Sequence, residues 1–359
     1  MLTKYKIFYS KTLYIFFVFL SLLIFFFSTE KLEAKSFEID NIEISKPFEI
    51  KFDKNKVIDE GFEKAFLELM LLIASSTDQK KIDKIKINEI KGMIESFSIK
   101  EEKFVDETYY VNLGVSFNKK DIFRYLERNN IFPSIPLRKK IIFIPVIIDE
   151  NTKELLIFSN NKIYDDWNTY IKSHHLIEYI LPAEDLEDIK IIKNKYETIE
   201  QYDFKEIINK YDLNDAIIPL IFLNKEEVRI LSRISIKDKV ILKNQSFSNT
   251  NINDNDQVEK IITILKTIYE DHWKQLNQIN TSIKLSLIVR VDTNKNSKID
   301  NFEKTLRNID LINDFSISKF NKNFIYYKIT FNGTPGNFLK TMEDNEFDFN
   351  TQNQIWILQ

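Results

Sequence analysis

A run of eight apolar residues, from Ile141 to Ile148, constrains the fold more than any other feature of this sequence. Side chains of a strand point alternately to its two sides, so a strand without a polar position is covered on both faces. Such a strand lies inside a sheet that has helices packed against both of its faces. The run therefore predicts an α/β layer arrangement in the middle of the chain.

The residues before this run predict a strand, a helix and a basic linker. Apolar and more polar side chains alternate over residues 109–117, which is typical of a strand with one buried face. Asn118 can cap the helix that follows, because its side chain accepts hydrogen bonds from the free N–H groups of a first turn. Pro133 and Pro136 mark the end of the helical region, and residues 138–140 are basic. We predict that this stretch joins two domains.

Several strings of this region resemble one known family. They are YYVNLGVSF at 109–117, the helix begun by Asn118 and ended by RNNI at 128–131, IIFIPVII at 141–148, the region of Trp167, HHL at 174–176 and LPAEDLED at 181–188. In these strings the chain resembles the proteobacterial family catalogued as domain of unknown function 2066, from about residue 40 to residue 245. The resemblance implies an exported envelope protein. It implies no agreed activity and therefore assigns no catalytic residue.

The N-terminus has the pattern of an export signal. Lys4, Lys6 and Lys11 precede residues 12–28, which are uncharged and strongly apolar. The pattern predicts either cleavage near Ala34 or a retained anchor whose basic end stays in the cytoplasm, and a buried helix of a soluble protein is the remaining alternative. We expect residues 1–36 to be a signal peptide or membrane anchor, and the protein to lie in the periplasm or in the inner membrane facing it. Membrane contact is then limited to residues 12–28, if they are retained.

The composition excludes several kinds of chemistry. The chain has no cysteine, which excludes disulfides, thiolate nucleophiles, thiolate metal sites and a lipid-modified N-terminal cysteine. Only His174, His175 and His272 could act as imidazole ligands or bases. The five glycines form none of the phosphate-binding or nucleophile-elbow motifs. A net charge of −3 gives no field that would attract nucleic acid, so no nucleic-acid partner is expected.

Hydrophobic periodicity predicts an α+β multidomain protein that begins with a small α+β domain at residues 37–137. Within it we expect a strand at 48–52, an amphipathic helix at 58–73, and a hairpin of strands at 93–99 and 104–117.

Residues 138–245 are predicted to form an α/β domain in which strands and helices alternate. Besides the central run, strands are expected at 155–158, 176–181, 216–223, 228–236 and 240–243. Residues 246–281 are assigned to a linker and a long helix, because residues 244–256 have the composition of a loop and apolar positions then recur from Val258 to Ile279. On that helix, His272 is expected to be a packed side chain.

Residues 282–359 are predicted to form a ferredoxin-like βαββαβ module. Its strands are expected at 282–291, 313–320, 324–331 and 355–358, and its helices at 300–309 and 335–344. The strands lack the glycine-spaced aromatic signature of RNA-recognition sheets, which argues against RNA binding.

One loop of this module has the spacing of a calcium site. Oxygen donors are placed as in an EF-hand loop by Asp292, Asn294, Asn296, Asp300 and Glu303. However, serine occupies the position of the turn glycine, and the loop follows a strand where an EF-hand has a helix. A polar strand-to-helix connection is therefore the alternative, and calcium is the only cofactor that the sequence suggests.

Four carboxylates cluster at the start of a helix that we expect to open at Pro182. They are Glu184, Asp185, Glu187 and Asp188. Acidic side chains favour the N-terminal end of a helix because of the free N–H groups and the helix dipole there. Metal binding or general-acid catalysis is the alternative role.

The sequence as a whole favours a non-catalytic exported envelope protein that serves as a protein-interaction or assembly module. The expected partner is another envelope protein. The alternatives are a calcium-stabilised or ligand-binding module that uses loop 292–303, and an enzyme with a carboxylate site at residues 184–188.

Overall fold

A computed structural model of the protein describes residues 37–225, 227–281, 283–294 and 296–359. Over these residues the fold is mixed α/β, with three sheets and ten α-helices. The predicted signal peptide or anchor at residues 1–36 lies outside them. None of the helices in the described ranges is long and apolar enough to cross a membrane.

The first sheet is antiparallel and has the strand order β1-β3-β2. The elements of this part of the chain are β1 (Glu38–Pro47), α1 (Lys54–Ile73), α2 (Gln79–Ile82), α3 (Ile87–Lys91), β2 (Ile94–Val105), β3 (Thr108–Phe117) and α4 (Lys119–Arg128). Apolar residues of α1, such as Phe66 and Leu69, share one core with Val111 and Leu113 of β3. The predicted helix is confirmed, and so is the existence of the hairpin. Its turn lies at residues 106 and 107 and not at 100–103, because β2 continues to Val105, which pairs with Thr108.

The strand predicted at residues 48–52 is wrong. These residues form a turn in which the Phe52 N–H donates to the Glu49 carbonyl (2.9 Å), and the strand is β1, just before them. A bulge lies between Ile39 and Ile42, the two fully buried positions of β1. The bulge breaks the two-residue period by which a strand is recognised in sequence.

The second sheet has the strand order β10-β9-β8-β4-β7, and two further strands extend it, since β5 pairs with β8 and β6 pairs with β5. The elements are β4 (Lys139–Phe143), β5 (Val146–Asp149), β6 (Glu154–Leu156), α5 (Lys162–Asp166), β7 (Ile177–Ile180), α6 (Leu186–Lys193), α7 (Lys205–Ile208), β8 (Ala216–Asn224), β9 (Glu227–Ile236), β10 (Lys239–Ser248) and α8 (Asn255–Leu276).

The apolar run 141–148 forms β4 and β5, both parallel to β8. The two strands are separate because Pro145 has no N–H to donate to a sheet. Alternate residues enter different cores: Phe143 and Ile147 pack with α8, whereas Ile142 and Ile148 pack with residues of α6 and α7. The prediction that this run is covered on both faces is confirmed.

The loop predicted at 244–256 is wrong for its first five residues. β10 continues to Ser248 and pairs with β9 along its whole length, from Lys239 opposite Ile236 to Ser248 opposite Glu227. β10 is the last strand of the sheet, so backbone hydrogen bonds hold it while its polar side chains face water. A polar composition therefore does not distinguish such a strand from a loop.

The third sheet has the strand order β12-β13-β11-β15-β14, in which β11 and β15 are parallel and the other neighbours antiparallel. The elements are β11 (Lys284–Asp292), α9 (Asn296–Asn308), β12 (Ile312–Phe320), β13 (Phe324–Asn332), α10 (Pro335–Glu343), β14 (Phe349–Asn350) and β15 (Ile355–Leu358). The predicted order of strands and helices is found, with the two-residue β14 as an addition.

Candidate functional site

The glutamate of the calcium-like loop accepts hydrogen bonds from two other side chains of the same module. Glu303 lies on α9, where its Oε1 accepts a hydrogen bond from the Tyr327 hydroxyl (2.7 Å) and its Oε2 one from Arg307 (3.1 Å). Burial, followed by this contact with Glu303, raises the pKa of Tyr327. The two oxygens that would have to bind calcium are thus engaged by protein donors.

Asp292 and Asp300 do not form a metal-binding group with Glu303. Asp292 ends β11, and its Oδ1 accepts from the N–H of Asn294 (2.9 Å). Asp300 is an exposed residue of α9, and the side chain of Asn296 lies outside the described part of the chain. In the described ranges, no group of three or more His, Asp or Glu side chains is placed to hold a metal ion.

The carboxylates at 184–188 lie at the start of a helix, and a lysine forms ion pairs with two of them. The helix begins at Leu186 and not at Pro182, because Asp185 is its cap and accepts from the Glu187 N–H (2.8 Å). Lys210 binds both Asp185 (2.9 Å) and the buried Asp188 (2.6 Å). The hydrogen bond from Lys210 lowers the pKa of Asp185.

A general acid needs a raised pKa, so this shift opposes catalysis by Asp185. Glu184 accepts a hydrogen bond from the Ser159 hydroxyl (2.9 Å). The ion pairs of Lys210 with Asp185 and Asp188 thus join α6 to the segment that follows α7.

A row of buried charges on α8 was missed by the sequence analysis. Lys266, Glu270 and Lys274 recur every four residues and are each at least nine-tenths buried. Glu270 accepts from the N–H groups of Leu176 (2.9 Å) and Ile177 (3.1 Å), and burial raises its pKa. The four-residue spacing is visible in the sequence, but charges at that spacing ordinarily indicate a solvated helix face.

Lys266 lies against aromatic rings. Its Nζ is 5.0 Å from the centre of the Trp167 ring and 5.2 Å from that of Tyr179, and it has no hydrogen-bond partner among the described residues. Burial lowers its pKa to about 8. A buried amine of this kind can be a nucleophile, but Lys266 is only 1% exposed, so substrate cannot reach it in this conformation.

Two of the three histidines lie beside this row. Burial and the nearby charge of Lys266 lower the pKa of His175 to about 4, and burial also lowers that of His174, whose Nδ1 is 3.5 Å from Glu68. His272 is half-buried, in agreement with a packed side chain. The histidines are therefore neutral packing groups at neutral pH.

An accessible candidate site is the free edge of β2. This strand pairs with β3, and no other strand in the described ranges pairs with it. Eleven of its twelve residues are exposed. They include Phe97 (49% exposed), Ile99 (39%), Phe104 (57%) and Val105 (45%). Unpaired backbone groups beside exposed apolar side chains are a template for another strand.

Aromatic contacts fix the side chains of this edge. The Phe97 ring meets Phe62 of α1 edge-on, with ring centres 5.0 Å apart. The Phe104 ring lies 4.9 Å from Tyr109 and 5.2 Å from Phe48. These contacts orient the rings before any partner arrives, which lowers the entropy cost of binding.

Three charged residues of β2 form exposed ion pairs. Lys100 pairs with Asp40 (2.6 Å) and Lys103 with Glu101 (2.8 Å). Exposed ion pairs contribute little to stability, about 0 to 1 kcal/mol each. The charges of Lys100, Glu101 and Lys103 are therefore available to a partner at small cost. Glu102 is held more firmly, because it pairs with Lys54 (2.6 Å) and accepts a hydrogen bond from the hydroxyl of the buried Tyr109 (3.1 Å).

No family model matches the chain, and no curated protein matches it. A solved structure described as an uncharacterized protein is similar to 40% of this chain and 95% of its own, with 9% sequence identity and a TM-score of 0.16. The similarity to domain of unknown function 2066 stays a prediction.

Two other sheets also end in exposed strands. β10 exposes Val240 and Leu242, each by 60%, and β12 exposes Ile317 and Phe320. The sequence analysis predicted β12 but only the first parts of β2 and β10, and it did not predict the exposure of the three strands. Exposure follows from strand order, which local alternation does not encode: β2 is an edge because β1 occupies the other side of β3.

Proposed function

We propose that the protein is a non-catalytic, exported envelope protein that binds another envelope protein by adding a strand to β2. The observation that carries this proposal is the free edge of β2, with Phe97, Ile99, Phe104 and Val105 exposed along it. Backbone groups of such an edge supply affinity to an incoming strand, and the alternate side chains supply specificity.

The state of the candidate catalytic groups supports a non-catalytic role. Glu303 is bound by Tyr327 and Arg307, and Asp185 and Asp188 are bound by Lys210. The buried amine of Lys266 has no route to substrate. The three carboxylates thus have hydrogen-bonding partners that account for their positions, and Lys266 is packed against aromatic rings.

We further propose that three modules carry this edge: a small α+β domain, an α/β domain and a ferredoxin-like module. Support for the last comes from its βαββαβ order of elements and from the strand order β12-β13-β11-β15. The parallel pairing of β11 with β15 departs from the ferredoxin-like sheet, in which all neighbouring strands are antiparallel. Export is proposed from residues 4–28 and from the family resemblance, and places the modules in the periplasm or on the periplasmic side of the inner membrane.

The proposal is tested by crosslinking in intact cells. A photoreactive amino acid replaces Ile99 in the full-length chain, and a matched variant carries it at Lys190, an exposed residue of α6. We expect a crosslinked envelope protein from position 99 and none from position 190. Equal products from both positions, or none from either, would contradict the proposal.

A further inference from the structure

The pairing of β2 with β3 assigns each β2 side chain to one face of the sheet. Phe97, Ile99, Glu102 and Phe104 lie opposite Val115, Leu113, Val111 and Tyr109, which belong to the core under α1. We call this side the helix face. Ser98, Glu101 and Lys103 lie opposite Gly114, Asn112 and Tyr110, on the outer face.

Lys100 also belongs to the outer face. It has no partner on β3, because the register shifts between Ile99 and Glu101. Its Nζ is bound to Asp40, and the side chains of Lys100 and Ser98 each lie 3.1 Å from the place that a β-carbon would take at Gly114. Two consecutive residues, Lys100 and Glu101, therefore point outward, as a β-bulge requires.

We propose that β2 pairs antiparallel with β2 of a second copy of this chain, with Lys100 opposite Glu101 of that copy. The two-fold axis then passes between the two bulges. The remaining opposed pairs are Phe97 with Phe104, Ser98 with Lys103 and Ile99 with Glu102, each formed twice. This inference rests on the proposed function and narrows it: the same edge of β2 receives a strand, and the envelope protein that supplies this strand is a second molecule of the chain itself.

The faces of the strand select this register. In it, every helix-face residue from 97 to 104 meets a helix-face residue and every outer-face residue meets an outer-face one. A shift by one or two residues sets an outer-face residue against a helix-face residue at the bulge. Matching of faces is what specifies register in a sheet with one buried side.

The charged and aromatic side chains of β2 favour the same register. Lys100 and Glu101 are opposite in sign and meet twice across the axis, and no two like charges are directly opposed. The exposed rings of Phe97 and Phe104 meet on the helix face, where aromatic cross-strand pairs stabilise a sheet. The result is one six-stranded sheet, β1-β3-β2-β2-β3-β1, that leaves β2 without a free edge.

The absence of cysteine from the chain allows a direct test of the register. Two full-length variants, Ser98→Cys and Lys103→Cys, change exposed side chains and are mixed and oxidised. We expect a disulfide-linked dimer that forms several-fold more from the mixture than from either variant alone. Leu242→Cys on the exposed strand β10 is the matched control and is expected to give none.

A charge variant provides a second measurement. Glu101→Lys sets two lysines against each other at the axis and is expected to reduce the crosslink several-fold, whereas Glu95→Lys, just outside the paired residues, is expected to leave it unchanged. No enrichment in the mixture, or equal effects of the two lysine variants, would overturn the second-copy proposal. If the Ile99 crosslinker captures only a different protein, the proposed function stands and this inference falls; if it captures nothing, both fall.

Discussion

The Nζ of Lys274 donates a hydrogen bond to the backbone carbonyl of Leu71 (2.5 Å) and a second to that of Ala74 (3.2 Å). The two acceptors lie in the last turn of α1 and at the residue after it, where carbonyls lack intrahelical partners. Lys274 belongs to α8, which packs on the second sheet. This buried lysine therefore caps α1 and joins the first sheet to the helix that covers the second.

Replacement of Lys274 by methionine tests this role. The methionine keeps most of the volume but leaves two carbonyls without a donor, so we expect the free energy of unfolding to fall by about 2 kcal/mol. Lys260→Met, at an exposed position of the same helix, is expected to change it by less than about 0.5 kcal/mol. Urea unfolding of both variants measures the difference. Equal effects would show that the carbonyl contacts contribute nothing.

We expect the stability of the folded chain to fall at acid pH because of His175. Its pKa is about 4 in the folded chain, below the ordinary value of 6.5, so the unfolded chain binds the proton more readily. Stability from this group is present above pH 6.5 and is lost as the pH falls toward 4. The loss is at most about 3 kcal/mol, reduced by the partial exposure of the ring.

The variant His175→Asn isolates this effect. Asparagine retains an acceptor for the Lys172 N–H, which donates to His175 in the native chain (3.2 Å), but it does not titrate. We expect the variant to lose less stability than the native chain between pH 6.5 and pH 4, as measured by urea unfolding at each pH. Parallel pH profiles would mean that His175 is not the titrating group.

The sequence predicts the positions of strands and helices better than it predicts which elements lie beside them. The period-two residues of β3 and the apolar run at 141–148 are recognisable because burial imposes their pattern. β1 was misplaced because its bulge breaks that pattern, and the end of β10 was missed because an edge strand is held by backbone bonds.

The candidate site was predictable only in part. The first part of β2 could be predicted from the sequence, as the strand expected at 93–99, but its continuation to Val105 was missed, and its free edge depends on which side of β3 is taken by β1. Likewise, the burial of Lys266 depends on Trp167, about a hundred residues earlier in the chain. Such pairings are set by tertiary packing, and a local pattern does not contain them.

Export is tested separately from binding. A fusion of residues 1–36 to a reporter that is active only outside the cytoplasm is expected to be active, because basic residues followed by an uncharged apolar segment direct translocation. Replacement of two apolar residues, Phe16 and Leu20, by lysine is expected to abolish the activity. An inactive native fusion would contradict export while leaving the strand-edge proposal to its own test.

The Glu303 carboxylate distinguishes a structural role from a calcium site. If it serves to hold Tyr327, Glu303→Gln is expected to lower the free energy of unfolding by about 1 kcal/mol, since a charged hydrogen bond at a partly exposed site is replaced by a neutral one. Tyr327→Phe is expected to lose the same contact, so the double variant should be destabilised by less than the sum of the two. Calcium at millimolar concentration is expected to leave the melting temperature unchanged. If calcium instead binds at loop 292–303, the ion stabilises the folded chain by about 2.7 kcal/mol at a hundredfold excess over Kd, and this gain disappears in Glu303→Gln; that pair of results would reassign the loop as an ion site.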